Sequence, residues 1–150
     1  MTLTVVTPCD QTISDITTLK PVDSVNNQGE DFKPMPLELV DEMPQPGTLI
    51  YSAGWELGGP LGFVTGVLNR KLNGGFYDAA MYMVPGDSGS PVLALRNGRV
   101  ELIGLLRAYY STDAPDTDGK AREIPILGSS MLLDADSIRA VLEKYQARES

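Results

Sequence analysis

The run Val84-Pro85-Gly86-Asp87-Ser88-Gly89-Ser90-Pro91-Val92 places a serine between small residues. A Pro-Gly pair ends one apolar stretch and Pro91 opens the next, so the segment reads as a tight loop between two strands. Small neighbours let the backbone approach a bound group and let successive N–H groups converge on one point. Acyl transfer by a serine asks for that arrangement: an exposed hydroxyl, with donors aimed where the oxyanion develops. The same string also suits an ordinary glycine-rich hairpin loop. The rest of the chain has to decide.

Gly86-Asp87-Ser88-Gly89-Ser90-Pro91-Val92 resembles the nucleophile loop of the chymotrypsin/trypsin-like serine peptidases. Three other stretches resemble parts of that family, in the family's order. Ser14-Asp15-Ile16-Thr17-Thr18-Leu19-Lys20 is similar to the segment carrying the triad aspartate. Ala53-Gly54-Trp55 resembles the Gly-Trp that opens the second barrel's first hairpin, and the run from Asp136 to Tyr145 resembles the closing helix. Together they cover nearly the whole chain.

The resemblance implies roles. Ser88 would be the nucleophile, Asp15 the acid that orients a histidine, and Gly86, Asp87 and Ser88 the oxyanion hole. Asp15 also reads as a turn cap, and Asp10 competes for its role without the Asp-Ile-x-x-Leu context. For Asp87 two fates stay open: pairing with a newly cut N-terminus, as in activated family members, or a hydrogen bond within its own loop. The implied specificity pocket is walled by Tyr82, Met83 and Val84 on one side and by Arg107, Ala108 and Tyr109 on the other. Tyr82 and Tyr109 read equally well as barrel core. No aspartate stands at the matching position before Ser88, so a preference for Lys or Arg is not implied.

One departure dominates. The 150 residues contain no histidine. A serine hydroxyl is a weak nucleophile at its free pKa and needs a neighbouring base, and histidine serves near neutral pH. Lys20, Lys33, Lys71, Lys120 and Lys144 are the alternative bases, but none stands where the family places its own. Two readings follow. In the first, this is the C-terminal part of a serine endopeptidase whose histidine lies upstream or on a second chain. In the second, a non-catalytic relative keeps the fold as a peptide-binding or assembly module. An intact serine loop with Asp15 favours the first, and the missing histidine favours the second.

The elements that position these residues read as short strands with turn signals at fairly even spacing, the pattern of an antiparallel barrel or sandwich. Strands are expected at 3–7 and 13–19, then at 36–40, 48–53, 61–70, 76–84, 91–95, 99–109 and 124–133. Asn97-Gly98 reads as a two-residue hairpin turn, and 114–119 as a polar loop. Caps at Asp134 and Asp136 precede a helical stripe of Ile138, Val141, Leu142 and Tyr145, so a helix is expected over 136–146. The fold class is all-β, and the resemblance implies a chymotrypsin-like antiparallel barrel at 48–133 with a C-terminal helix at 134–150. Residues 1–20 read as remnant strands of a first barrel, and the Pro-, Asn- and acid-rich stretch 21–47 as the connection between barrels.

Length and a 42% hydrophobic content suit one domain with its own core. A net charge of −8 argues against nucleic-acid or anionic-membrane binding through bulk electrostatics. Cys9 is the single cysteine and has no internal disulfide partner, which suits a bacterial or viral type better than a secreted animal one. Without histidine a zinc site is not expected, and no cofactor is implied. No run approaches membrane-spanning length, and the N-terminus lacks a basic region followed by an apolar core. A cytoplasmic location is favoured on that basis. The expected partners are a peptide or protein substrate and a histidine-bearing segment or chain.

Overall fold

The computed structural model describes residues 3–5, 19–21, 37–54, 59–115 and 117–149. The chain divides into two compact units, Met1–Leu37 with Asp136–Ser150, and Glu38–Ala135. In the first, β1 (Leu3–Val5) and β2 (Leu19–Pro21) pair antiparallel, with Thr4 opposite Lys20. The expected strand over 13–19 meets the observed one only at Leu19, and 13–18 lie outside the described residues.

The second unit is the barrel. Its strands are β3 (Glu38–Leu39), β4 (Leu49–Gly54), β5 (Gly62–Lys71), β6 (Phe76–Met81), β7 (Pro91–Arg96), β8 (Arg99–Pro115) and β9 (Ala121–Asp134). Each of β4 to β9 pairs antiparallel with two neighbours, in the order β4-β5-β6-β9-β8-β7 and back to β4. The sheet closes on itself as six strands, which removes the open edges that recruit partners. β3 is added outside the ring, parallel to β8, and Val40 N–H donates to Leu102 O at 3.0 Å.

Alternation along the strands produces the core. On β4 the inward residues are Ile50, Ser52 and Gly54; on β6 they are Tyr77, Ala79 and Met81; on β7 they are Val92 and Ala94. Leu68, Ile103, Leu106 and Leu132 fill the remaining space. Two close crossings demand glycine. A Cβ at Gly66 would meet the Ala80 carbonyl oxygen at 2.5 Å, and one at Gly104 would collide with the Leu133 carbonyl oxygen. Leu68 is fully buried in this cluster. Leu68→Ala is expected to lower unfolding free energy by about 2–5 kcal/mol, through lost transfer energy and a residual cavity. A urea titration followed by the far-ultraviolet signal measures it.

The hairpin turn at Asn97-Gly98 forms as expected, with φ of 51° and 75° and Arg96 opposite Arg99. The next hairpin departs from expectation. β8 runs six residues beyond Tyr109 to Pro115, and β9 starts at Ala121 rather than 124. Residues Ser111 to Pro115 pair with Ala121 to Pro125, and most of the described side chains on this ribbon are exposed. A ribbon wet on both faces has no apolar alternation to betray it. Helix α1 (Ala135–Glu149) follows β9 directly and is three residues longer at its end than the apolar stripe indicates. Its first turn carries Asp136, which pairs with Arg139 at 2.7 Å.

Candidate active site

Two consecutive turns build the serine loop. In the first, Asp87 N–H donates to Val84 O at 3.1 Å, with Pro85 second and Gly86 third at φ 106°. In the other, Ser90 N–H donates to Asp87 O at 2.9 Å, with Ser88 second and Gly89 third at φ 85°. Both are type II turns, which require a positive φ at the third residue, hence glycine at 86 and at 89. Pro85 presets the second position of the first turn. Ser88 occupies the matching place in the other turn and is exposed. The spacing Gly-x-x-Gly therefore has a local cause, independent of any chemistry.

The loop is stitched to β8. Gly89 N–H donates to Leu106 O at 2.7 Å, and Leu106 N–H donates to Ser90 O at 2.9 Å. Ser52 Oγ, inside the barrel, donates to Pro91 O at 2.8 Å and ties β4 to the loop's far end. Asp87 is buried, and its Oδ2 accepts the Val84 N–H at 2.9 Å. Of the two fates open to Asp87, the structure has it bonding within its own loop. The Ser88 hydroxyl lies 3.4 Å from the Arg107 carbonyl oxygen, a long contact for an O–H···O bond.

The donors sort themselves by these bonds. Asp87, Gly89 and Ser90 N–H groups are engaged, and Pro85 has none. Among the described residues, Gly86 and Ser88 N–H donate to no backbone carbonyl. Asp87, grouped with them as an oxyanion donor, drops out because its amide closes the first turn. Its contribution is the buried carboxylate.

Of the residues expected to wall a pocket, Met83 is a core side chain, buried with Met81 and Val92. Tyr82 points outward, 40% exposed, so it is not barrel core; Tyr109 packs half-buried against the core. Ala108 sits opposite Met131 and Tyr109 opposite Ser130, while Arg107, exposed, faces Ser88 through its carbonyl. Asp15 and Asp10 lie outside the described residues. Lys71, Lys120 and Lys144 are exposed, so none has the burial that a lysine base needs. Sequence reasoning missed the proximity of Gly54 to Ser90 and Asp87. Gly54 was visible as part of a Gly-Trp pair, but nothing local shows what it lies against.

A closed six-stranded antiparallel barrel with added strands and a C-terminal helix is the fold of the chymotrypsin-like serine proteases. The structure is similar to a serine-to-alanine mutant of Rv3671c from M. tuberculosis H37Rv in an inactive form, at TM-score 0.66 and 18% identity, covering 99% of this chain and 66% of that one. It is also similar to a serine endoprotease from Yersinia pestis, at TM-score 0.66 and 15% identity over 95% of this chain and 43% of that one. A second Rv3671c protease structure, again an inactive form, matches at TM-score 0.64 and 19% identity. The chain thus spans two thirds or less of the length of these proteins. No protein-family model and no curated protein sequence matches it.

Proposed function

We propose that this chain is the C-terminal part of a serine endopeptidase, with Ser88 as nucleophile and Asp15 as the acid that orients the histidine. The histidine base comes from outside these 150 residues, on an upstream segment or a second chain. The observation that carries this reading is the serine loop. Ser88 is exposed on the second of two type II turns; among the described residues the Gly86 and Ser88 N–H groups donate to no backbone carbonyl, and the buried Asp87 carboxylate accepts from Val84 N–H. Stabilising a tetrahedral oxyanion requires a hydroxyl and two donors around one reacting carbonyl, and the exposed Ser88 with the Gly86 and Ser88 N–H groups supports that assignment. Substrate is a peptide in extended form, taken beside Arg107, Ala108 and Tyr109. Its side-chain preference is set by neutral groups, Tyr82 and Tyr109 foremost.

A second reading is favoured by one observation, the absence of histidine from the 150 residues. In it the barrel is a non-catalytic peptide-binding or assembly module. A fluorophosphonate probe separates the two. Supply of the histidine-bearing segment turns on labelling at Ser88 in the first reading. In the second, no supply does so, while peptide binding persists in a fluorescence-anisotropy titration.

A further inference from the structure

Gly54 ends β4, buried and paired with Gly62. The β4–β7 register runs Ile50 to Ala94, Tyr51 to Leu93 and Ser52 to Val92. Continued by two residues, it brings Gly54 opposite Ser90, just where β7 gives way to the serine loop. Ile50, Ser52 and Gly54 all face inward, so a side chain at 54 would point under that loop. A Cβ built there falls against Ser90 Oγ, lies 3.0 Å from Asp87 Oδ1 and 3.4 Å from Ser90 Cβ. These neighbours are the two ends of the turn that carries Ser88, since Ser90 N–H donates to Asp87 O. Asp87 also closes the first turn twice, through its N–H to Val84 O and its Oδ2 from Val84 N–H.

We infer that Gly54 is a positioning residue for Ser88, acting through Ser90 and Asp87 and touching no substrate itself. The missing side chain leaves the space in which the Asp87 carboxylate and the Ser90 hydroxyl sit side by side. A methyl group there displaces both ends of the Ser88 turn, and with them the Val84–Asp87 bond. The Gly86 and Ser88 N–H groups then shift as well, because each belongs to a turn that Asp87 closes. The catalytic consequence rests on the peptidase reading; the effect on the loop does not.

The experiment is Gly54→Ala in the full 150-residue chain, followed by amide hydrogen exchange. Exchange at Val84 and Asp87 N–H should rise by about tenfold or more, the signature of a loosened local unit. Leu68 N–H, bonded to Thr48 O at 3.0 Å on the same barrel, should change by less than about twofold if the barrel stays intact. Ser90→Ala removes the nearest obstructing atom, so the double variant Gly54→Ala/Ser90→Ala should recover most of the protection, a non-additivity expected only of groups in contact. Unchanged exchange at Val84 and Asp87 overturns the inference. So does loosening shared equally by Leu68, or a double variant no better than Gly54→Ala. With the histidine supplied, Gly54→Ala should lower the fluorophosphonate inactivation rate by about 10- to 100-fold with probe affinity retained, as a small misplacement does. A wild-type chain that stays unlabelled under that supply counts against the peptidase reading, with the exchange result still deciding the role of Gly54.

Discussion

Supplying the histidine-bearing segment should raise fluorophosphonate labelling and peptide hydrolysis by about 10⁴-fold or more over the chain alone, and Ser88→Ala should remove the gain entirely. The magnitude follows from how a triad works. Its members act as a unit, and loss of any one leaves only the residual catalysis of the oxyanion hole and of binding. In the chain alone Ser88 Oγ has the Arg107 carbonyl oxygen at 3.4 Å as its acceptor. A backbone carbonyl is far too weak a base to remove that proton at neutral pH, so the hydroxyl stays a hydroxyl. Ser88→Ala removes one exposed atom, with its long contact to Arg107 O, from a turn closed by backbone bonds and by Asp87, so its unfolding midpoint should match wild type. Labelling that survives Ser88→Ala would place the nucleophile elsewhere. Strong labelling of the chain alone at neutral pH would mean that a lysine serves as base.

The barrel was legible in advance because β4, β6 and β7 each have one wet and one dry face. Residues 48–53, 76–81 and 91–95 alternate cleanly, and their turns carry glycine or Asn-Gly where a positive φ is needed. The ring closure between β8 and β9 was implied by the family resemblance and not by any local pattern. The long ribbon beyond Tyr109 escaped because Thr112, Asp113, Arg122 and Glu123 are exposed and polar whichever face they take. The site divides the same way. Pro85, Gly86 and Gly89 announce turns through their own backbone preferences, so the turn that carries Ser88 is found from sequence. Tyr82 and Met83 are neighbours just beyond β6, and a single residue of offset decides which one enters the core. Sequence could not decide that, because both are large and apolar enough for either side. Gly54 illustrates the remaining gap. A glycine kept for space under a distant loop looks the same, in sequence, as one kept for a turn.

Asp15→Asn should lower turnover of the histidine-supplied protein by about 10⁴-fold while KM stays within a few-fold of wild type. In the peptidase reading the Asp15 carboxylate works through the histidine: it accepts the Nδ1–H, selects the tautomer whose Nε2 can take the Ser88 proton, and stabilises the imidazolium that results. An amide of the same shape presents N–H where the carboxylate presented a lone pair, and so turns the imidazole the wrong way round. In the peptidase reading Asp15 acts on the histidine and not on the substrate, which is why the loss falls on kcat. Asp10→Asn is the matched control, being the other aspartate in the same stretch, and should leave kcat within a few-fold. Steady-state kinetics on both variants, with their urea midpoints, make the comparison. A turn-capping role for Asp15 would appear instead as a lowered midpoint with kcat nearly preserved, because a lost cap costs only about 0.5–2 kcal/mol and no chemistry. If Asp10→Asn carries the kcat loss, the orienting acid is Asp10, and the resemblance of the 14–20 segment to the triad strand has been misread by five residues.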